Sequence, residues 1–298
     1  MAEIVGVIAQ ISALVFILTS MLAMGLSLTV KQILDPLRDI KVVLLALLAN
    51  FVLVPALAYL ITVVIPLDKG IATGLIIVGA AAGAPFLPKL AQVAKGNAAF
   101  SVGLMTLLMV LTVIYLPIML PILLPGASVS PWDIAKSLIL SMLLPLGIGL
   151  FIKARYPETA ASLQPHMSQA SSLAIVLMLV TVLALQFEAI IGAIGTGALI
   201  AALIFLVGAL GIGLLLGGKG AGMRSVMGLG TAQRNLAAAM LVAAQNFSKD
   251  PTVLLMVMVV AILGLILLMV VGGEMGKRAG AAGDGKPAKA AGEEPAGV

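Results

Sequence analysis

One cation in this sequence stands where its surroundings offer nothing to balance it. Arg234 closes the stretch Gly228-Leu229-Gly230-Thr231-Ala232-Gln233-Arg234-Asn235, inside the hydrophobic run from Val226 to Ala244. A guanidinium at membrane depth costs at least about 2.5 kcal/mol on insertion scales, and it cannot shed its proton. Such a group persists only if it is paired, hydrated or used. Two uses fit. One is an anion anchor, helped by the positive N-terminal end of a half-helix that begins near Leu236. The other is an arginine that snorkels along a cavity to structural carbonyls. A second interruption, Gly83-Ala84-Pro85-Phe86-Leu87-Pro88, lies inside the run from Ile71 to Val93. Paired breaks in corresponding hydrophobic segments mark the binding site of a secondary transporter, because unwound backbone at membrane depth leaves N–H and C=O groups free for ligands.

Around these breaks stand neutral polar groups: Asn50, Ser101, Thr106, Thr231, Gln233 and Asn235, with Pro85 in the first break itself. As a site, Arg234, Gln233, Asn235, Thr231, Asn50, Pro85 and Thr106 would hold substrate. As structure, the same amides and hydroxyls would hydrogen-bond between helices. Lys89, just after Pro88, either joins the site or reaches the membrane interface. All 12 acidic residues fall in loops, tails or span ends, and the one histidine, His166, is expected in a solvated loop beside Pro165. A proton relay is poorly served by that distribution. So is a membrane-embedded enzyme, which needs a base or a metal ligand set. There are no cysteines, hence no disulfides or thiolate ligands.

These groups are positioned by apolar segments. Of 298 residues, 62% are hydrophobic and 10% charged, and the mean hydropathy is +1.23, so the solvent is the bilayer. At about 20 residues per crossing, the expected spans are Val5–Leu28, Val42–Val64, Ile71–Val93, Ala98–Leu123, Ile134–Phe151, Ser168–Phe187, Ile191–Leu216, Val226–Ala244 and Pro251–Val271. Met1-Ala2-Glu3-Ile4 has no basic n-region, so the first span is read as a retained helix. With nine crossings, Lys31, Arg38, Lys41, Lys95, Lys153, Arg155, Lys219, Arg224, Lys277, Arg278, Lys286 and Lys289 fall on one side. Only Lys69, Lys136 and Lys249 fall on the other, which predicts an external N-terminus and a cytoplasmic C-terminus. The net charge of +5 then reflects basic cytoplasmic loops, and no nucleic-acid partner is expected. Trp132, Tyr59 and Tyr156 lie near predicted interfaces. The segment 273–298 is Gly-, Ala-, Lys- and Glu-rich and is expected to be a disordered cytoplasmic tail.

Each half holds a span, a broken span, a polar link (Lys95-Gly96-Asn97; Asn246-Phe247-Ser248-Lys249-Asp250) and a long span, on opposite sides as inverted repeats require. The expected domain is 1–272, with repeats over 5–124 and 132–272. The fold class is all-α: a polytopic bundle of about nine transmembrane helices, in inverted repeats with two broken crossing helices.

Met24-Gly25-Leu26-Ser27-Leu28, Asn50 to Pro55, Gly79 to Asn97 with Ser101, and Gly230 to Ala239 together resemble the sodium–bile acid symporter family and its bacterial relatives. The similarity spans nearly all of Ala13 to Val271. It implies two inverted five-helix repeats, a panel and a core, and two crossing broken helices, with no counterpart here of the family's first helix. It also implies cation ligands. Asn50 aligns with a family Gln, Ser101 with a Ser ligand, and Gln233 with a retained Gln. Departures are Leu87-Pro88 for a Ser-Asn pair, Leu229 for a Glu, and Arg234 for an Asn. A weak sodium site at Asn50, Ser101 and Gln233, completed by backbone carbonyls, is the one cofactor this leaves. The expected function is alternating-access transport of a small organic anion across a cell (inner) membrane, with sodium coupling in doubt. A metalloid or inorganic-anion exporter on a related scaffold, a channel-like pore and a membrane enzyme are the rivals. The oligomeric state is left open.

Overall fold

The structure, a computed structural model, describes residues 2–29, 31, 38–124, 130–192, 195–218 and 220–284. Among them every regular element is helical. The order is α1 Ala2–Ser27, α2 Ile40–Val64, a broken pair α3a Lys69–Ala80 and α3b Leu87–Val93, then α4 Ala98–Leu123. There follow α5 Pro131–Arg155, α6 Pro157–Gly192, α7 Ala198–Leu216, a second broken pair α8a Ala221–Ala232 and α8b Leu236–Asn246, and α9 Pro251–Asp284. The unbroken helices α2, α4, α5, α7 and α9 are each long and apolar enough to cross a membrane alone. Each broken pair reaches across only by adding its halves. Large aliphatic side chains such as Leu44, Val52, Ile114, Leu173, Ile200, Val207 and Ile266 are exposed on the bundle's outside, where lipid replaces water as their solvent.

Two groups of helices are evident. α1 packs along α6 and α5, and Ser20 and Ser171 hydroxyls join α1 to α6 at 2.5 Å. The other group sets α7 against α8a, α9 against α3a, and α2 against α3a and α7, so both broken pairs sit in one packed body.

Several boundaries differ from the sequence expectation. α6 starts at Pro157, so His166 lies on an exposed helical surface, its ring bonded to the Ser162 carbonyl, and not in a loop. α7 begins at Ala198, later than the expected Ile191, because α6 itself runs on to Gly192. The first break is 81–86: Leu87-Pro88 already belong to α3b, since proline is tolerated in a first helical turn. The second break is only Gln233–Asn235, and Gly228 and Gly230 stay helical. The expectation of disorder over 273–284 is corrected. α9 continues to Asp284, and Gly276 lies where any side chain would strike the Val93 carbonyl, so the helix docks on the end of α3b. The rest of the expected tail, 285–298 with Lys286 and Lys289, and the loop residue Lys219, fall outside the described residues.

Candidate functional site

Pro55 creates the first part of the site from a distance. A proline in a helix gives no N–H and crowds the carbonyl four residues back. Here α2 answers with a π turn over Ala49–Leu53, in which the Val54 N–H bonds to the Ala49 carbonyl. That register releases two carbonyls. Phe51's is taken by the Tyr115 hydroxyl at 2.7 Å, and Asn50's faces the second break. A π turn is a frequent companion of functional sites.

The first break is held open by α4. Gly83 adopts φ +80°, a region that glycine enters without penalty, with the Met109 backbone packed against it. Thr112 accepts from the Ala82 N–H at 3.0 Å and donates to the Ala82 carbonyl at 2.9 Å. The two breaks touch: Asn235 N–H donates to the Ala81 carbonyl at 2.9 Å.

Arg234 lies at this crossing with 2% of its surface exposed. Its Nε donates to the Val78 carbonyl at 3.2 Å. Nη1 donates to Asn50 Oδ1 at 2.8 Å and to the Thr231 carbonyl at 3.1 Å. Nη2 donates to the Gly79 carbonyl at 2.7 Å and to the Asn50 carbonyl at 3.4 Å. A guanidinium has five N–H groups, and each has an acceptor. Val78 and Gly79 lie in the last turn of α3a and Thr231 in that of α8a, so the cation caps two helix C-termini, whose partial negative charge favours it. Of the two uses expected for Arg234, these bonds are those of an arginine that reaches structural carbonyls, and no N–H is left over.

Asn235 is different. It is the N-cap of α8b, with Oδ1 accepting from the Ala238 N–H at 3.1 Å, which fixes the orientation of the amide. Its Nδ2 is fully buried with no hydrogen-bond partner, and it is the one such side-chain atom among the described residues. A buried donor left unpaired costs about 1–3 kcal/mol, and in a native structure it calls for an explanation, such as a water, an ion or a ligand.

The remaining expected residues divide. Thr231 and Asn50 join the crossing, with Asn50 Nδ2 donating to Thr231 Oγ1 at 3.3 Å and to the Ala46 carbonyl at 3.0 Å. Gln233 lines, together with Arg234, a cleft of about 10 Å³ against Leu206, Val260 and Gly264, room for one water. Pro85 is half-buried in the first break, and Lys89 is exposed. Ser101 and Thr106 are buried but bonded to their own helix, at the Ala98 and Val102 carbonyls.

Two of the three expected sodium ligands, Asn50 and Ser101, are already engaged in hydrogen bonds. Both oxygens of Asn50 already accept from Arg234, and Ser101 donates within α4. Leu87, Leu229, Leu104 and Met105 fill the neighbouring space as fully buried apolar side chains, with Leu87 pressed on Gly230. Thr112 and Tyr115, which brace the site, carry a signal that is visible in hindsight: they are polar groups in an otherwise apolar span, and Pro55 marks the carbonyl that Tyr115 meets.

A family model described as Sodium Bile acid symporter family matches residues 13–193, more than half of the chain. The match covers α1 to α6 with the first break and ends before the second, so Arg234 and Asn235 lie outside it. Comparison with curated proteins gave no match.

Proposed function

Because the chain belongs to the sodium bile acid symporter family and is a multi-pass membrane protein of that transporter type, we propose that it carries a small organic anion by alternating access, without sodium. The carrying observation is the unpartnered Asn235 Nδ2, buried at the N-terminus of α8b beside a guanidinium with no carboxylate partner. Two amide donors, a helix N-terminus and a nearby fixed positive charge suit a carboxylate. An organic anion rather than a bare ion is favoured by the apolar walls beside it, with Leu87 and Phe86 at the first break.

Sodium independence follows from Arg234. Half-helix C-termini and unwound carbonyls are the groups that hold a sodium ion in broken-helix carriers, and here a tethered cation engages them. Binding and conformational change, with no bond made or broken, are all that this site's chemistry supports. The Lys and Arg distribution supports an external N-terminus and a cytoplasmic C-terminus in a cell or inner membrane. A thermal-shift screen of the purified protein against carboxylates and sulfonates, in sodium and in potassium buffer, tests the reading. Stabilisation by an organic anion, equal in both buffers, is expected. Stabilisation that appears only with sodium refutes it.

A further inference from the structure

We infer that the protein is an obligatory anion exchanger, which moves one organic anion across the membrane only by returning another. The inference rests on the organic-anion reading above. It comes from the charge the site keeps when empty. Arg234 is buried and its five donors end on uncharged oxygens of Val78, Gly79, Asn50 and Thr231. Those partners belong to α2, α3a and α8a, so the guanidinium is tied to three helices around the crossing and moves with them. None of the five acceptors is a carboxylate.

The C-terminal ends of α3a and α8a make the cation locally stable, but a dipole does not alter net charge. The empty site therefore carries a full positive charge, and a site holding a monoanion carries none. Reorienting the crossing takes it through the lowest-dielectric part of the membrane, where the uncompensated charge is strongly disfavoured and the neutral pair is not. The same step leaves Asn235 Nδ2 without an acceptor in the empty form and satisfied in the loaded one. A carrier that releases its coupling ion can return empty and uncharged. This one cannot release Arg234. The loaded form crosses, the empty form waits, and exchange of monoanions is electroneutral.

The test uses the full chain in proteoliposomes with radiolabelled acetate, pyruvate, benzoate and cholate as probes. Uptake is compared between vesicles preloaded with the same unlabelled anion and vesicles without it, with potassium and valinomycin supplying compensating charge. For at least one probe, preloading should raise uptake at least about tenfold, with unloaded vesicles near the protein-free background. Equal uptake into unloaded vesicles overturns the exchange inference and leaves the carrier reading standing. Absence of uptake under both conditions overturns the carrier reading for carboxylates, and the inference with it. In Arg234→Gln the preloading ratio should fall towards one, because the empty site is then neutral. If that variant does not insert, the wild-type comparison decides alone.

Discussion

Removing the guanidinium should make the protein's thermal stability depend on sodium. In Arg234→Ala, five oxygens that now accept from the guanidinium, on Val78, Gly79, Thr231 and Asn50, lose their donor inside a buried space. Charge-assisted bonds are worth about 1.5–3 kcal/mol each, but they share one ion and do not sum. Breaking up a buried charged cluster from one side typically costs about 3–5 kcal/mol. At about 2–4 °C per kcal/mol for chains approaching this size, the melting temperature in potassium buffer should fall by roughly 10 °C. The vacated oxygens include two helix C-terminal ends, a setting that binds sodium. A hundredfold excess of sodium over its dissociation constant would return about 2.7 kcal/mol, more than half of the loss. The assay is a thermal scan of detergent-purified protein in sodium and potassium chloride. Wild type should melt at the same temperature in both, and the variant should melt lower and recover in sodium. A variant as stable as wild type, or a wild type stabilised by sodium, would refute the tethered-cation account.

Asn235→Asp keeps an oxygen to cap the Ala238 N–H but puts a second carboxylate oxygen in a fully buried position without a donor, so the melting temperature should fall somewhat. The two Nδ2 donors vanish, and anion affinity should drop by at least about tenfold, measured by titrating the thermal shift; unchanged affinity would remove Asn235 from the site. Thr112→Val deletes both bonds that brace Ala82 and should cost about 2–4 kcal/mol in stability, seen as a lower melting temperature. A loss within experimental error would mean that the first break holds its shape without α4. Reporter fusions within residues 124–130 and after Val271 should read external and cytoplasmic respectively; the reverse pattern would invert the topology.

The helical class and the two breaks were legible because hydropathy and Gly/Pro interruptions act locally along the chain. Their edges were not. Gly228 and Gly230 look like breakers, yet they remain helical because a helix tolerates glycine at a cost of about 1 kcal/mol, and the packing of Leu87 on Gly230 offsets it. Pro88 reads as part of an interruption but sits at the start of a helix, where its missing N–H is harmless. The helix through Gly273–Asp284 was hidden because composition describes what a segment can bury alone, whereas α9 borrows the end of α3b as a partner. Arg234 announced itself by charge, but its acceptors did not. Four of the five are backbone carbonyls, and no side-chain pattern encodes which carbonyls a break or a π turn will release. Asn50 was legible as a polar residue near Pro55, and its role as an acceptor for the cation emerges only with the π turn in place.

Arg234 sits against the half-helix C-terminal carbonyls that would hold a coupling cation in a broken-helix carrier. Sodium independence is tested most directly by counterflow of the same radiolabelled carboxylates in wild-type proteoliposomes, with sodium replaced by potassium on both sides of the membrane. The rate and the half-saturation should be the same in the two media. A steep, saturable requirement for sodium would contradict it.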